Sequence, residues 1–291
     1  MITDRSKRWR DRQQSFVPAK GCINPSEFGV EVIDCMKIAK PFVLRHHYSA
    51  SFPVSRASIG LFRKKGLDRS ELVGVATFSQ PMNNAAIAKH TGLTNHQFGV
   101  ELGRFILHDS VLGNGETFFL SRAFRALRQV KPGIEAVISY ADPMIRTDIE
   151  GNVTKPCHIG AVYAVMGAAH RGRGTSRLET LTPDGQVYSD RDISKIRNEE
   201  TGRRYAIAEL IARGATPPRL GEDPRAWIKS LYEIGFLTKR RNPGNHVYSF
   251  ELTSKAKLAG RGLPRLEYPR LDRSITHGDG TALPLLSRSA T

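Results

Sequence analysis

The spacing of apolar positions switches period in the middle third of the chain, and the switches mark out elements. Residues 99–108 alternate like a strand, and residues 116–130 move to helical spacing. In that helix Leu120, Ala123, Phe124 and Leu127 share one face, with Arg122, Arg125 and Arg128 outside it. Pro132-Gly133 ends the helix and residues 135–140 read as a buried strand. Strand, Gly113-Asn114-Gly115 turn, helix and strand therefore predict a βαβ unit with parallel strands. Upstream, a short strand over 28–34 leads into a helical stretch interrupted by Pro41. Residues 57–62 and 72–78 are β-like and predict a hairpin around the charged turn 63–70. Residues 80–96 read as a long polar loop.

Downstream the pattern weakens. Residues 160–169 fit a short helix or a buried turn, and 177–182 with 186–188 flank Pro183-Asp184-Gly185, a hairpin signal. Residues 190–214 have helical composition broken near Gly202, 215–225 read as a linker, and 227–235 as a short helix. Residues 237–240 and 246–252 flank Asn242-Pro243-Gly244-Asn245, which predicts a second hairpin. Four regions result: a basic flexible arm over 1–26, a core domain over 27–214, a helix-and-hairpin extension over 215–252 that packs on the core, and a basic tail over 253–291.

Composition narrows the class. An apolar fraction of 40% in 291 residues can fill a core, and no stretch approaches the roughly 18 apolar residues of a membrane span. The N-terminus has charge but no apolar run after it, so it does not read as a secretory signal. Cys22, Cys35 and Cys157 are odd in number and widely spaced, which argues against a disulfide framework or a zinc finger and for a reducing cytoplasm. The net charge of +16 points to a polyanionic partner, nucleic acid foremost, with solubility alone as the plainer explanation.

Three polar clusters could carry chemistry. Arg45-His46-His47-Tyr48-Ser49 could bind metal, act as a base or stack on a nucleobase; as an exposed turn it would do none of these. Ser139-Tyr140-Ala141-Asp142-Pro143 closes a parallel strand, where open α/β sheets keep their sites, although Asp142 could simply cap a turn. His158 and Tyr163 form the third, against the default of a buried tyrosine with a satisfied hydroxyl. Gly113-Asn114-Gly115, between strand and helix, suits an anion on the first helical N–H groups, or is a plain connecting turn. No HExxH, CxxC pair, Walker loop or Gly-x-Ser-x-Gly elbow occurs, so a metalloprotease, zinc deaminase, P-loop enzyme and α/β-hydrolase lack support.

The strand–GxG–helix–strand order is similar to the pantetheine and pyrophosphate cradle of GCN5-related acyltransferases, with Ser110 where that family usually has Gln or Arg. His46-His47-Tyr48-Ser49, Glu101-Leu102-Gly103-Arg104, Phe119-Leu120-Ser121-Arg122, Ser139-Tyr140-Ala141-Asp142-Pro143 and His158-Ile159-Gly160-Ala161-Val162-Tyr163, in that order, resemble the Mom family of phage DNA-modification proteins. The resemblance covers roughly residues 28–190, with Gly103 where a small polar residue is expected. It implies an α/β fold with a GCN5-related acyltransferase-like central mixed sheet, flanking helices, the basic arm and the C-terminal extension. It also implies conversion of adenine N6 in DNA to a carbamoylmethyl form that blocks restriction. The implied catalytic residues are Tyr48, Ser139, Asp142 and Tyr163, with His47 on the substrate; Arg104, Gly113, Asn114, Gly115 and Ser121 match the cofactor cleft.

Adenine N6 is a poor nucleophile, so a base such as Asp142 or a histidine is needed, and Tyr48 and Tyr163 could stack on an extruded base. A carbamoylmethyl product joins N6 to a methylene carbon, which a thioester acyl donor does not explain; an acyl-coenzyme A-like donor and iron are both open. The expected partner is double-stranded or locally opened DNA in the host cytoplasm, with no membrane contact and homodimerisation an open option. Two other functions compete: a generic GCN5-like N-acetyltransferase, and a non-catalytic DNA-binding protein in which residues 237–252 form the β-wing of a winged-helix-like reader.

Overall fold

The structure, a computed structural model, describes residues 5–18, 21–49, 51–66, 69–155 and 157–270. Its elements begin with β1 (Arg5–Arg10), β2 (Gln13–Pro18), β3 (Phe28–Ile33), α1 (Lys40–His46), β4 (Ser55–Lys65), β5 (Arg69–Ser79), α2 (Ala85–Thr91) and β6 (Gly99–Leu107). Next come α3 (Gly115–Val130), β7 (Ala136–Ala141), β8 (Arg146–Thr147), β9 (Val153–Lys155), α4 (Ala161–Val165), β10 (Ala169–Arg173), β11 (Arg177–Leu181) and β12 (Val187–Tyr188). The chain continues through α5 (Asp190–Arg197), α6 (Arg203–Ala212), α7 (Pro224–Glu233), β13 (Thr238–Asn242), β14 (His246–Glu251) and α8 (Ser254–Ala259). Two compact units share them. The first holds the described residues up to Asp142, with His158–Arg173 and the stretch from His246 onward; the second holds Pro143–Cys157 and Gly174–Asn245.

In the first unit one sheet runs β10-β14-β7-β6-β5-β4-β3, antiparallel throughout except for the parallel pair β6–β7. This is the α/β mixed sheet expected from the sequence, with β6–α3–β7 as its crossover unit. The parallel pairing is short, Gly99↔Ala136, Val100↔Val137 and Glu101↔Ile138. Beyond it β6 stays with β5 (Arg104↔Thr77) and β7 with β14 (Ser139↔Tyr248), so the two strands part and leave a notch. Side chains alternate across the faces. Val100, Leu102, Val137 and Ala141 join Leu120, Phe124 and Leu127 of α3 in the main core. On the other face Val75 and Ile106 pack with Phe42 and Val43 of α1, and Ala136 and Ile138 with Ile87 of α2.

The structure corrects four expectations. The polar loop over 80–96 contains α2, because Ile87 is fully buried there and seats against Gly99. The second hairpin does not form: β13 pairs with β11, whereas β14 is an interior strand between β10 and β7. Asn242-Pro243-Gly244-Asn245 is a turn that carries the chain from one sheet to another, so the β-wing of the winged-helix reading is absent. The arm is no loose segment over residues 5–18, since β1 and β2 pair as an antiparallel hairpin. Part of the expected tail is also structured. Residues 254–259 form α8, and the backbone of Leu266 and Glu267 hydrogen-bonds to His170 of β10; residues 271–291 lie outside the described residues.

In the second unit β12-β11-β13 make a three-stranded sheet, including the expected hairpin around Pro183-Asp184-Gly185. Its core is separate, built from Tyr188, Ile193, Ile196, Leu210, Trp227, Ile228 and Leu231 of α5, α6, α7 and their connections.

Candidate active site at the sheet notch

Where β6 and β7 part, side chains from both faces of the sheet come within electrostatic reach of each other. On the α1 side, Arg104 donates to the Ser51 carbonyl at 3.0 Å, the Ser51 hydroxyl at 2.6 Å and the Gly103 carbonyl at 2.6 Å. A register shift in β5–β6 at this point lets Arg104 reach that loop. Gly103 belongs there because a Cβ would collide with the Ser79 hydroxyl. Tyr48 follows α1, with the ring of His47 at 4.3 Å and that of Trp9 from β1 at 5.1 Å. His47 Nδ1 lies 2.8 Å from the Ser49 hydroxyl and 3.2 Å from the Ser49 N–H.

Tyr163 stands on the α3 side. Gly160 starts α4 in the left-handed region (φ 77°), and a Cβ there would strike the ring of Tyr248. The Tyr163 ring is packed by His158 at 5.5 Å, Tyr248 at 5.3 Å and Phe250 at 5.9 Å. Burial pushes its phenol up to about 12, opposed by the nearby Ser139 hydroxyl and reinforced by Tyr48 and Glu101. Ser139 is fully buried, and its Oγ accepts and donates no hydrogen bond of ordinary geometry among the described residues. The sealed Ser139 hydroxyl thus lies near the Tyr163 phenol with hydrogen-bonding capacity to spare, which suits a polar group entering the notch.

Glu101 was not singled out by the sequence as a site residue. It is the last residue of β6 paired to β7, half-buried at the apex of the notch. Burial raises its carboxyl above the usual range, and Arg104 only partly counters this. Its charge is felt by Arg104, by Tyr163, and by Tyr140, whose phenol burial pushes to about 12. An acid inside a largely apolar strand, three residues from Arg104, was the available signal.

The remaining expected residues fall in three places. Asp142 ends β7 at the rim, half-buried, and its carbonyl accepts the His158 N–H at 2.9 Å, next to the ring that edges Tyr163. Ser121 lies on the exposed face of α3, its hydroxyl donating to the Phe118 carbonyl at 3.0 Å, so it does not join the notch. Gly113, Asn114 and Gly115 do form the turn into α3, but the chain's own N-terminal segment covers it. Arg8 is fully buried and donates to the Val111 and Leu112 carbonyls at 2.7 Å each while pairing with Glu116. Ile23 N–H donates to Gly113 O at 3.2 Å, and Asn114 Nδ2 to Cys22 Sγ at 3.3 Å. With the Glu116 carboxylate already in the first turn of α3, these residues do not fit a pyrophosphate cradle. Iron fares no better with histidine, thiolate and carboxylate ligands: among the described residues no group of three or more of them could share an ion.

Comparison with known proteins agrees with the segment that builds the notch. The Mom protein family matches residues 27–220, more than half of the chain. The methylcarbamoylase mom of Escherichia phage Mu is 32% identical over 116 residues, which is 40% of this chain and 46% of that protein. The match thus spans about half the length of that curated relative. Among solved structures, a tandem GNAT protein from the clavulanic acid biosynthesis pathway aligns with a TM-score of 0.38 and 9% identity, covering 78% of this chain and 99% of that one.

Proposed function

Because the chain belongs to the Mom protein family, we propose that it is a transferase that modifies adenine in DNA at N6 with a carbamoylmethyl group and so shields the DNA from restriction. Support comes from the notch, where a carboxylate, an arginine, an aromatic group and the hydroxyls of Ser139 and Tyr163 converge within the matched segment. An adenine must leave the duplex stack to reach such a recess. The Tyr48 ring, braced by Trp9 and His47, offers a face for the extruded base. As N6 bonds to the donor's methylene carbon, the bond from that carbon to the donor's leaving group breaks with its electron pair going to the leaving group, and N6 loses a proton. Glu101, whose raised pKa brings it closer to the working pH than an ordinary carboxyl, is placed to take it. Ser139 and Tyr163 donate to the carbamoyl oxygen, and Arg104 holds the Glu101 carboxylate and the Tyr48 loop in register. The Asp142 carbonyl holds the His158 N–H in the loop at the rim. No step is routed through a coenzyme A thioester or an iron ion, since the residues present do not fit either.

The test is to digest DNA from cells expressing the chain to nucleosides and compare adenosine masses with cells expressing Tyr163→Phe. A carbamoylmethyl-adenine peak in the first and its loss in the second supports the reading. Unmodified adenine in both, with soluble protein present, overturns it.

A further inference from the structure

We infer that the outward face of α3 is a docking strip for the sugar–phosphate backbone of duplex DNA, with Arg122, Arg125, Arg128 and Lys131 as its phosphate ligands. This rests on DNA being the substrate and says which surface carries it. The four cations recur every third residue, and residues 117–134 contain no Asp or Glu. Arg122, Arg125, Arg128 and Lys131 are all exposed, and none meets a carboxylate among the described residues. At a rise of ~1.5 Å per residue they span ~13 Å, the length over which the near strand of a duplex presents about four phosphates. The sign of the strip is complementary to the phosphates.

Two of the side chains are held in place. The Arg122 guanidinium lies over the Phe118 ring, 3.7 Å from its centroid, and Arg128 donates to the Leu252 carbonyl at 3.4 Å. Between Arg125 and Arg128 the surface dips into a shallow hollow floored by Phe124, Gln129 and Leu252. Pre-positioned cations lose little entropy on binding a phosphate. The strip lacks what a single-strand reader needs: Phe119 and Phe124 are buried and Phe118 is covered by Arg122, so no ring is free to stack on a base. Backbone contact without base readout is the mode such a surface supports. Among the described residues other helices pair several of their cations with acids on the same helix, Lys195 with Asp192, Arg213 with Glu209 and Lys229 with Glu233.

The experiment is a salt titration of the full chain on a duplex DNA oligomer of random sequence, with Arg125→Gln, Arg128→Gln, the double variant and Arg125→Lys/Arg128→Lys. Each Gln substitution should weaken binding severalfold and reduce the log–log salt slope by about 0.9. The Lys pair should keep the wild-type slope, since a phosphate contact needs the charge and not the guanidinium. Arg203→Gln, in the second unit, serves as the control and should change neither quantity. An unchanged slope in the double variant overturns the inference, as does tighter binding of duplex RNA or of single strands than of duplex DNA. If the double variant loses duplex affinity while no modified adenine is ever found, the surface stands and the transferase reading falls.

Discussion

The two units of the chain use arginine in different ways. The stretches of sequence in the first, 1–142, 158–173 and 246–271, carry 27 Lys and Arg against 14 Asp and Glu; the rest of the chain carries 17 against 14. In the second unit several helical cations answer acids three or four residues away, as in Lys195–Asp192, Arg213–Glu209 and Lys229–Glu233. Those pairs are local, partly exposed and worth a few tenths of a kcal/mol each. In the first unit some cations are committed to long-range contacts, as Arg8 and Arg104 are, and a row of them faces solvent along α3. Net charge alone does not separate these uses. The +16 of the whole chain is mostly a property of the unit that holds the notch.

The largest expected effect is chemical and falls inside the first unit. Glu101→Gln keeps the size and hydrogen bonds of the side chain and removes the proton acceptor, so adenine modification should fall by about 10²–10⁴-fold. Because burial raises the Glu101 carboxyl, the proton is held in the folded protein at pH values where an unfolded chain has released it. Its favourable contribution to folding is therefore fully present at acid pH and lost as pH rises through the raised value. Glu101→Gln should then melt at or above the wild-type temperature at pH 7, with the difference shrinking toward pH 4. A variant that retains activity would move the base to Asp142 or a histidine.

Next comes Arg8, the cation that joins β1 to the turn before α3. Arg8→Ala leaves Glu116 and the Val111 and Leu112 carbonyls without it, and breaking such a buried pair costs about 3–5 kcal/mol. A lower melting temperature with faster hydrogen exchange over residues 5–18 and 111–116 is expected. An unshifted melt would mean that the hairpin contributes nothing to the unit's stability, as the sequence alone suggested.

That disagreement shows which parts of the fold can be read from sequence. The β6–α3–β7 unit was legible because its apolar positions change period cleanly. The hairpin β1–β2 was not, because its most buried residue is an arginine, which no apolar pattern marks. The turn at Asn242-Pro243-Gly244-Asn245 was correctly seen as a turn, yet the same chemistry serves a chain that changes sheets. In the notch, Tyr48, Ser139 and Tyr163 were expected through a resemblance, whereas the sequence signal for Glu101, an acid in a largely apolar strand, gains meaning when the strands are seen to part beside it. Ser121, at helical spacing from the apolar face, could have been assigned to solvent from the sequence.

Acid provides a further contrast between the units. His90, His108 and His246 of the first unit are each buried, and burial depresses each imidazole to about 4. A histidine whose folded value lies below its unfolded one stabilises the fold at pH above about 6.5, and that contribution is lost as pH falls toward 4. Each shift is worth up to about 3 kcal/mol. Residues 143–157 and 174–245 contain no histidine at all. Between pH 7 and 4.5, hydrogen exchange should therefore accelerate in the large sheet while α5, α6 and α7 keep their protection. Equal loss in both units would show that they unfold as one, and His108→Phe, which fills the space between Phe42 and His46 without a proton site, should blunt the acid sensitivity.

The smallest effect tests the other half of the contrast. Arg213 pairs with Glu209 at 2.6 Å on α6, four residues apart, with both side chains partly exposed. Glu209→Gln removes the charge from one partner and leaves a hydrogen-bond acceptor, so stability should change by about 0.5 kcal/mol or less. The substitution also raises the net charge of the second unit by one. If DNA affinity followed net charge alone, duplex binding would strengthen and its salt slope would steepen by about 0.9. If affinity follows the unmatched cations of α3, neither should move, because the released Arg213 still donates to the Thr182 hydroxyl at 3.1 Å and lies against the Tyr188 ring. A salt titration of Glu209→Gln beside Arg125→Gln therefore compares charge changes of the same size and opposite sign at two sites. Equal and opposite slopes would assign DNA binding to the whole charged surface; a response from Arg125→Gln alone would assign it to one helix.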